Sequence, residues 1–115
     1  MSVQSLRKRL AEIAAQANQA APAEVDENTR LDGARAGPGL KLTSTYTLVN
    51  SGSQGINSTS LQTKLAPVIT DGSCKNPDLR PLIDQGVVVV LEYLANDGTR
   101  LGMISVDRKT CGAIR

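Results

Sequence analysis

Few residues in this chain could do chemistry. Histidine is absent, which excludes mechanisms that use imidazole as base, proton shuttle or metal ligand. Ser44, Ser51, Ser53, Ser58 and Ser60 are plentiful hydroxyls, yet without histidine they cannot build a Ser-His-Asp triad. A Ser-Lys pair would have to bring a serine to Lys41 or Lys64 without any nucleophile-elbow motif. The remaining acid-base candidates are Asp32, Glu92 and Tyr46, while Glu92 and Asp97 approach each other only by hairpin proximity. A small hydrolase or transferase working through Asp, Lys or Tyr would need Asp32, Tyr46 or Glu92 to converge in one polar pocket. A flat, solvated sheet face would end that reading, and the expectation is a non-enzyme.

Metal and cofactor motifs are also missing. The carboxylates Glu24, Asp26, Glu27 and Asp32 lack EF-hand spacing and its closing glutamate, so a solvated loop is expected there rather than a calcium or magnesium site. Gly37-Pro38-Gly39 lacks the Gly-Lys-Ser/Thr ending of a phosphate loop and precedes no helix, which makes it a hairpin turn. Cys74 and Cys111 are not spaced as C-x-x-C and have no histidine to complete a four-ligand zinc site. Two readings of them stay open. As a disulfide they would staple the end of the chain to its middle, worth roughly 4 kcal/mol by loop closure, and would place the protein in an oxidising compartment. As two free thiols they would place it in the cytoplasm. No cofactor and no metal are expected.

Nor does the composition argue for nucleic acid. Thirteen Lys and Arg against eleven Asp and Glu leave a formal charge of +2, too small a bias for a basic binding face. Tyr46 and Tyr93 are the only aromatic residues, which leaves almost no base-stacking platform. The one basic cluster, Arg7-Lys8-Arg9, reads as the solvated face of a helix; weak nucleic-acid binding through it is the competing view. No run of apolar residues is long enough to span a membrane. The opening residues carry no secretory cleavage pattern, so an exported protein would have lost its signal segment from this chain.

The elements that must position these residues form one α+β domain over residues 1–115. Val3, Leu6, Leu10, Ile13, Ala14 and Ala17 recur at helical spacing over residues 3–20, and Pro22 ends the helix. Residues 21–28 read as a polar connection. Residues 29–50 read as a hairpin across Gly37-Pro38-Gly39, with Leu40, Leu42, Tyr46 and Leu48 on one face and Lys41, Thr43, Thr45 and Thr47 on a solvated one. Residues 58–85 form a helical segment capped by Asn57, Ser58 or Ser60; Pro67 should kink or break it near Ala66, and Asp71-Gly72 should stop its first part. Residues 87–107 form a second hairpin turned at Asp97-Gly98, and its Val-Val-Val-Val-Leu run suits an internal strand. The order α-β-β-α-(α)-β-β predicts a two-layer fold: a four-stranded antiparallel sheet of two hairpins with helices on one face.

Val25-Asp26-Glu27-Asn28-Thr29-Arg30-Leu31-Asp32, then Gly37-Pro38-Gly39, then Tyr46-Thr47-Leu48-Val49-Asn50 form a pattern, followed in order by Cys74, Asp97-Gly98 and Cys111. The pattern resembles a group of small exported bacterial proteins and, more distantly, the pilotin lipoproteins of type II secretion, which bind a secretin's C-terminal helix. The resemblance implies an exported αβ domain with one Cys74–Cys111 disulfide and a non-catalytic role. Arg30, Asp32 and Tyr46 match its motif and carry no role beyond structure from it. The chain lacks the lipobox cysteine of pilotins near its start. The expected function is therefore a periplasmic or cell-envelope protein that binds another protein, through a helix-lined groove or a sheet edge, as an accessory, assembly or inhibitor factor.

Overall fold

The computed structural model describes residues 2–50, 59 and 61–112. Helix α1 runs over Val3–Ala20. Ser2 caps it, its hydroxyl accepting the Ser5 amide at 3.1 Å, and so satisfies one of the free donors of the first turn. Leu6, Leu10 and Ala14, four residues apart, are its buried stripe. The chain then enters β1 (Ala23–Asp26), β2 (Thr29–Ala36) and β3 (Lys41–Leu48). A helical run follows: a π-helical turn at Leu61–Leu65 that passes into α2 (Ala66–Lys75), and a short α3 (Arg80–Asp84). Strands β4 (Val88–Ala95) and β5 (Arg100–Val106) and a last turn α4 (Arg108–Gly112) complete the molecule.

The sheet has five strands in the order β1-β2-β3-β4-β5. All neighbours are antiparallel except β3 and β4, which run parallel with Leu42 opposite Val89 and Tyr46 opposite Tyr93. This corrects the expected four-stranded antiparallel sheet on two counts. The segment expected as a polar connection supplies β1, an edge strand whose Glu24, Val25 and Asp26 are exposed; with nothing to bury, it shows no apolar alternation. The two hairpins join in parallel because the helical segment between them is a crossover, long enough to return the chain to the same end of the sheet.

The helices lie on one face, and their apolar residues form one cluster with those of the strands: Leu6 and Leu10 from α1, Leu61 and Cys74 from the crossover, Leu82 and Ile83 from α3, and Leu42, Val89 and Ile104 from the sheet. The expected kink or break near Ala66 falls where the π-helical turn Leu61–Leu65 gives way to α2, with Pro67 in the first turn of α2. Lacking an N–H, Pro67 cannot continue the ordinary ladder, and the widened π turn immediately before α2 absorbs the mismatch. Asp71-Gly72 does not stop α2, which continues to Lys75 with Ser73 and Cys74 buried and a Lys75–Asp71 ion pair at 3.0 Å along its surface. The expected caps Asn57, Ser58 and Ser60, and the loop serines Ser51 and Ser53, lie outside the described residues.

Candidate functional site

On β2, β3, β4 and β5 alternate side chains point to the face that carries no helix, and most of the candidate chemistry collects there. Arg30 Nε bonds Asp32 Oδ1 at 2.7 Å. The Thr47 hydroxyl donates to Asp32 Oδ2 at 2.5 Å and accepts from Arg30 Nη2 at 3.3 Å. A β-bulge between Leu31 and Gly33 accommodates Asp32 in the strand. A second group lies on the same face: Thr45 donates to Glu92 Oε1 at 3.2 Å, and Arg100 Nη2 pairs with Glu92 Oε2 at 3.2 Å and reaches Met103 Sδ at 2.8 Å. Each carboxylate is therefore held by an arginine and a threonine, and the whole is a cross-strand lattice rather than a pocket. Thr43 and Thr47, expected on a solvated face, are only 1% and 5% exposed. They lie on a central strand, with Arg35 and Val90 beside Thr43 and Arg30 and Leu94 beside Thr47, and those longer side chains cover them.

Tyr46 lies on the opposite, helix-covered face. Its ring stacks on that of Tyr93, with centroids 5.3 Å apart and planes inclined by 22°, a favourable offset arrangement. Burial raises the Tyr46 phenol above its ordinary value against a small lowering by Ser44. Burial, then the neighbouring Tyr46 and Asp26, push Tyr93 up to about 12. Neither ring supplies a phenolate at neutral pH. Lys41 and Ser44, three residues apart on β3, face opposite sides as well. Asp32 and Glu92 thus lie on one face and Tyr46 on the other, and the three do not converge in one pocket.

Cys74 and Cys111 form a disulfide with their Cα atoms 5.4 Å apart, and both are buried. It ties α4 to α2. Asp107 prepares the bond by capping α4: its carboxylate accepts the Thr110 amide at 2.9 Å while Thr110 Oγ1 accepts the Asp107 amide at 2.8 Å. Among the described residues no group of three or more His, Cys, Asp or Glu could hold a metal ion. Asp26 instead closes the β1–β2 turn by accepting the Asn28 amide at 2.8 Å. Arg7, Lys8 and Arg9 are exposed on α1, where Arg9 pairs with Glu12 at 3.6 Å. No helix among the described residues is long and apolar enough to cross a membrane.

Two surface cavities offer room for a partner. One, of about 340 Å³, is lined by Arg7, Leu10 and Ala11 of α1 and by Ala36, Gly37 and Gly39 of the β2–β3 turn. The other, of about 290 Å³ and mostly apolar, lies by β1 and the start of β2, with Pro22, Glu24, Asp26, Glu27, Thr29, Arg30 and Val49 in its wall. Two side chains that sequence reasoning missed decide which sheet edges stay open. The Asn18 amide accepts the Ala34 N–H and donates to the Ala34 carbonyl, both at 2.8 Å, so it stands in for a strand along β2. Gln62 donates to the Met103 carbonyl at 2.8 Å and does part of the same for β5. No local sequence signal marks either residue, since each partner lies far away along the chain.

No family model matches the chain, and no curated protein matches it. Its fold is similar to three solved structures. A candidate secreted protein of Pseudomonas aeruginosa superposes with a TM-score of 0.77 at 17% identity over 95% of each chain. The EpsS pilotin of the Vibrio vulnificus type 2 secretion system does so with 0.71 at 12% identity, covering 95% of this chain and 94% of that one. The AspS pilotin of the Vibrio cholerae type II secretion system gives 0.71 at 15% identity with the same coverage. The fold is therefore similar to that of these structures over 95% of the chain. At such identity the likeness is one of architecture.

Proposed function

We propose that this chain is a non-catalytic protein of the cell envelope that binds another protein in an accessory, assembly or inhibitor role. The observation that carries the reading is the pilotin-like fold across 95% of the chain. The buried Cys74–Cys111 disulfide supports an oxidising compartment. The side chains that could have served catalysis support it too, because they are spent in a cross-strand lattice on one face and a tyrosine stack on the other.

Two measurements test it. Protein taken from its native host and denatured without reductant should show no free thiol; two free thiols would overturn the envelope location. Titration with a peptide of the C-terminal helix of a type II secretin from the same host should show saturable binding, with Kd on the order of micromolar. A secretin helix that fails to bind, together with a chain whose loss leaves every envelope assembly intact in the host, would overturn the accessory role.

A further inference from the structure

The two ends of the sheet are finished differently. At one end β5 is backed by the crossover helix, and its Met103 carbonyl is taken by Gln62. At the other, Asn18 closes the outer side of β2 at Ala34, beyond the stretch that β1 pairs. Among the described residues no side chain covers the outer edge of β1 in this way, and Glu24, Val25 and Asp26 are exposed, Val25 at 58%. Such an edge is a template for a further strand. Beside it lies the mostly apolar cavity of about 290 Å³, large enough to take a side chain from an added strand.

The charge of this edge selects its occupant. Three of the eleven carboxylates, Glu24, Asp26 and Glu27, fall within four residues of a chain whose formal charge is +2. None of the three forms an ion pair among the described residues; Arg30, opposite Glu24 across β1 and β2 and in the wall of the same cavity, is engaged by Asp32. A second copy pairing β1 with β1 would set these carboxylates against their own images, which is destabilising across a strand pair. We propose that β1 is a strand-addition site for an extended basic segment of another protein, with lysine or arginine on either side of an apolar residue that enters the cavity beside Val49. The inference rests on the protein-binding reading only in taking a polypeptide as occupant, and it places the contact at β1 rather than in a helix groove.

A pentapeptide of alternating lysine and valine, blocked at both termini, is the probe, titrated into the full chain while backbone amide resonances are followed. Shifts should concentrate at Ala23–Asp26 and Val49, and affinity should fall steeply with salt. N-methylating alternate peptide bonds leaves the charge intact and removes the outward hydrogen bonds; it should weaken binding by roughly tenfold or more. The double variant Glu24→Lys/Glu27→Lys should abolish binding while its melting curve stays unchanged. Equal binding of the N-methylated peptide would show charge attraction without strand addition and overturn the proposal, as would shifts centred on α1 or on the open sheet face. If a secretin helix binds elsewhere while the basic strand does not, the strand site falls and the accessory role stands; if the basic strand binds β1 while no secretin helix binds, the reverse holds.

Discussion

The helix-covered face of the sheet carries Leu42, Tyr46, Leu48, Val89 and Leu91, whereas the open face carries Arg30, Asp32, Thr45, Thr47 and Glu92. β3 and β4 contribute to both sets, alternating residue by residue, and β2 adds Arg30 and Asp32 to the second. On the first, burial removes apolar surface from water and supplies the driving force. On the second, the strands are held by hydrogen bonds and ion pairs, each of small net worth. The difference separates what stabilises the fold from what decorates it, and of the candidate acid-base residues it assigns Asp32 and Glu92 to the second and Tyr46 to the first.

The covered face should dominate any stability measurement. Removing the disulfide with Cys74→Ala/Cys111→Ala should cost about 4 kcal/mol on loop-closure grounds, read from urea midpoints. A loss under about 1 kcal/mol would mean that α4 adds little to the covered side once its tether is gone. Next in size, Leu10→Ala removes a side chain with 0% exposure and should cost about 3 kcal/mol. By contrast Asp32→Ala, at the centre of the open-face lattice, should cost about 1 kcal/mol, because its side chain is one quarter exposed and its ion pair is screened. A larger loss for Asp32→Ala than for Leu10→Ala would invert the comparison.

The covered face also predicts an alkaline weakness. An unfolded chain releases the Tyr93 proton near the ordinary phenol value, whereas the native chain holds it up to about 12. Between those values the unfolded state binds fewer protons, so stability falls as pH rises, by up to about 1.4 kcal/mol per pH unit for this one group. The contribution is complete below the unfolded value and gone above the native one. Unfolding midpoints followed from about pH 9 to about pH 11 should slope downward for the native chain and less so for Tyr93→Phe. Equal slopes would move the effect from the tyrosine stack to other groups.

Much of the covered face could be read in advance, and the reason is periodicity. Leu6, Leu10 and Ala14 recur at helical spacing, Leu42, Tyr46 and Leu48 alternate, and the valine run of β4 marks an internal strand, so these elements follow from pattern alone. β1 escapes because it buries almost nothing: an edge strand of Glu24, Val25 and Asp26 has the composition of a loop. The parallel union of β3 and β4 escapes because hairpin signals are local, while the order of hairpins is set by how the crossover packs. The candidate site is legible only as a list of residues. That Asp32 and Glu92 each meet an arginine and a threonine depends on register, and that Tyr46 turns away from both depends on strand parity, which the alternation of β3 does contain.

The smallest expected effect is also the sharpest test of the open face, because it changes sign along one strand. Thr43 and Thr47 are both nearly fully buried on β3. The Thr47 hydroxyl gives to Asp32 and takes from Arg30, whereas the Thr43 hydroxyl has no hydrogen-bond partner among the described residues. Valine keeps the branched shape and the strand preference of threonine while removing the hydroxyl. Thr47→Val should therefore cost about 1 kcal/mol, the worth of a hydrogen bond to a charged group at a partly covered site. Thr43→Val removes only the desolvation of an unpaired group and should stabilise the fold by up to about 1 kcal/mol. If both variants lose stability equally, the Thr43 hydroxyl has a partner in solution and the lattice extends across the whole face. If both gain, the bonds to Asp32 and Arg30 contribute nothing net, and the open face is held by its backbone ladder alone.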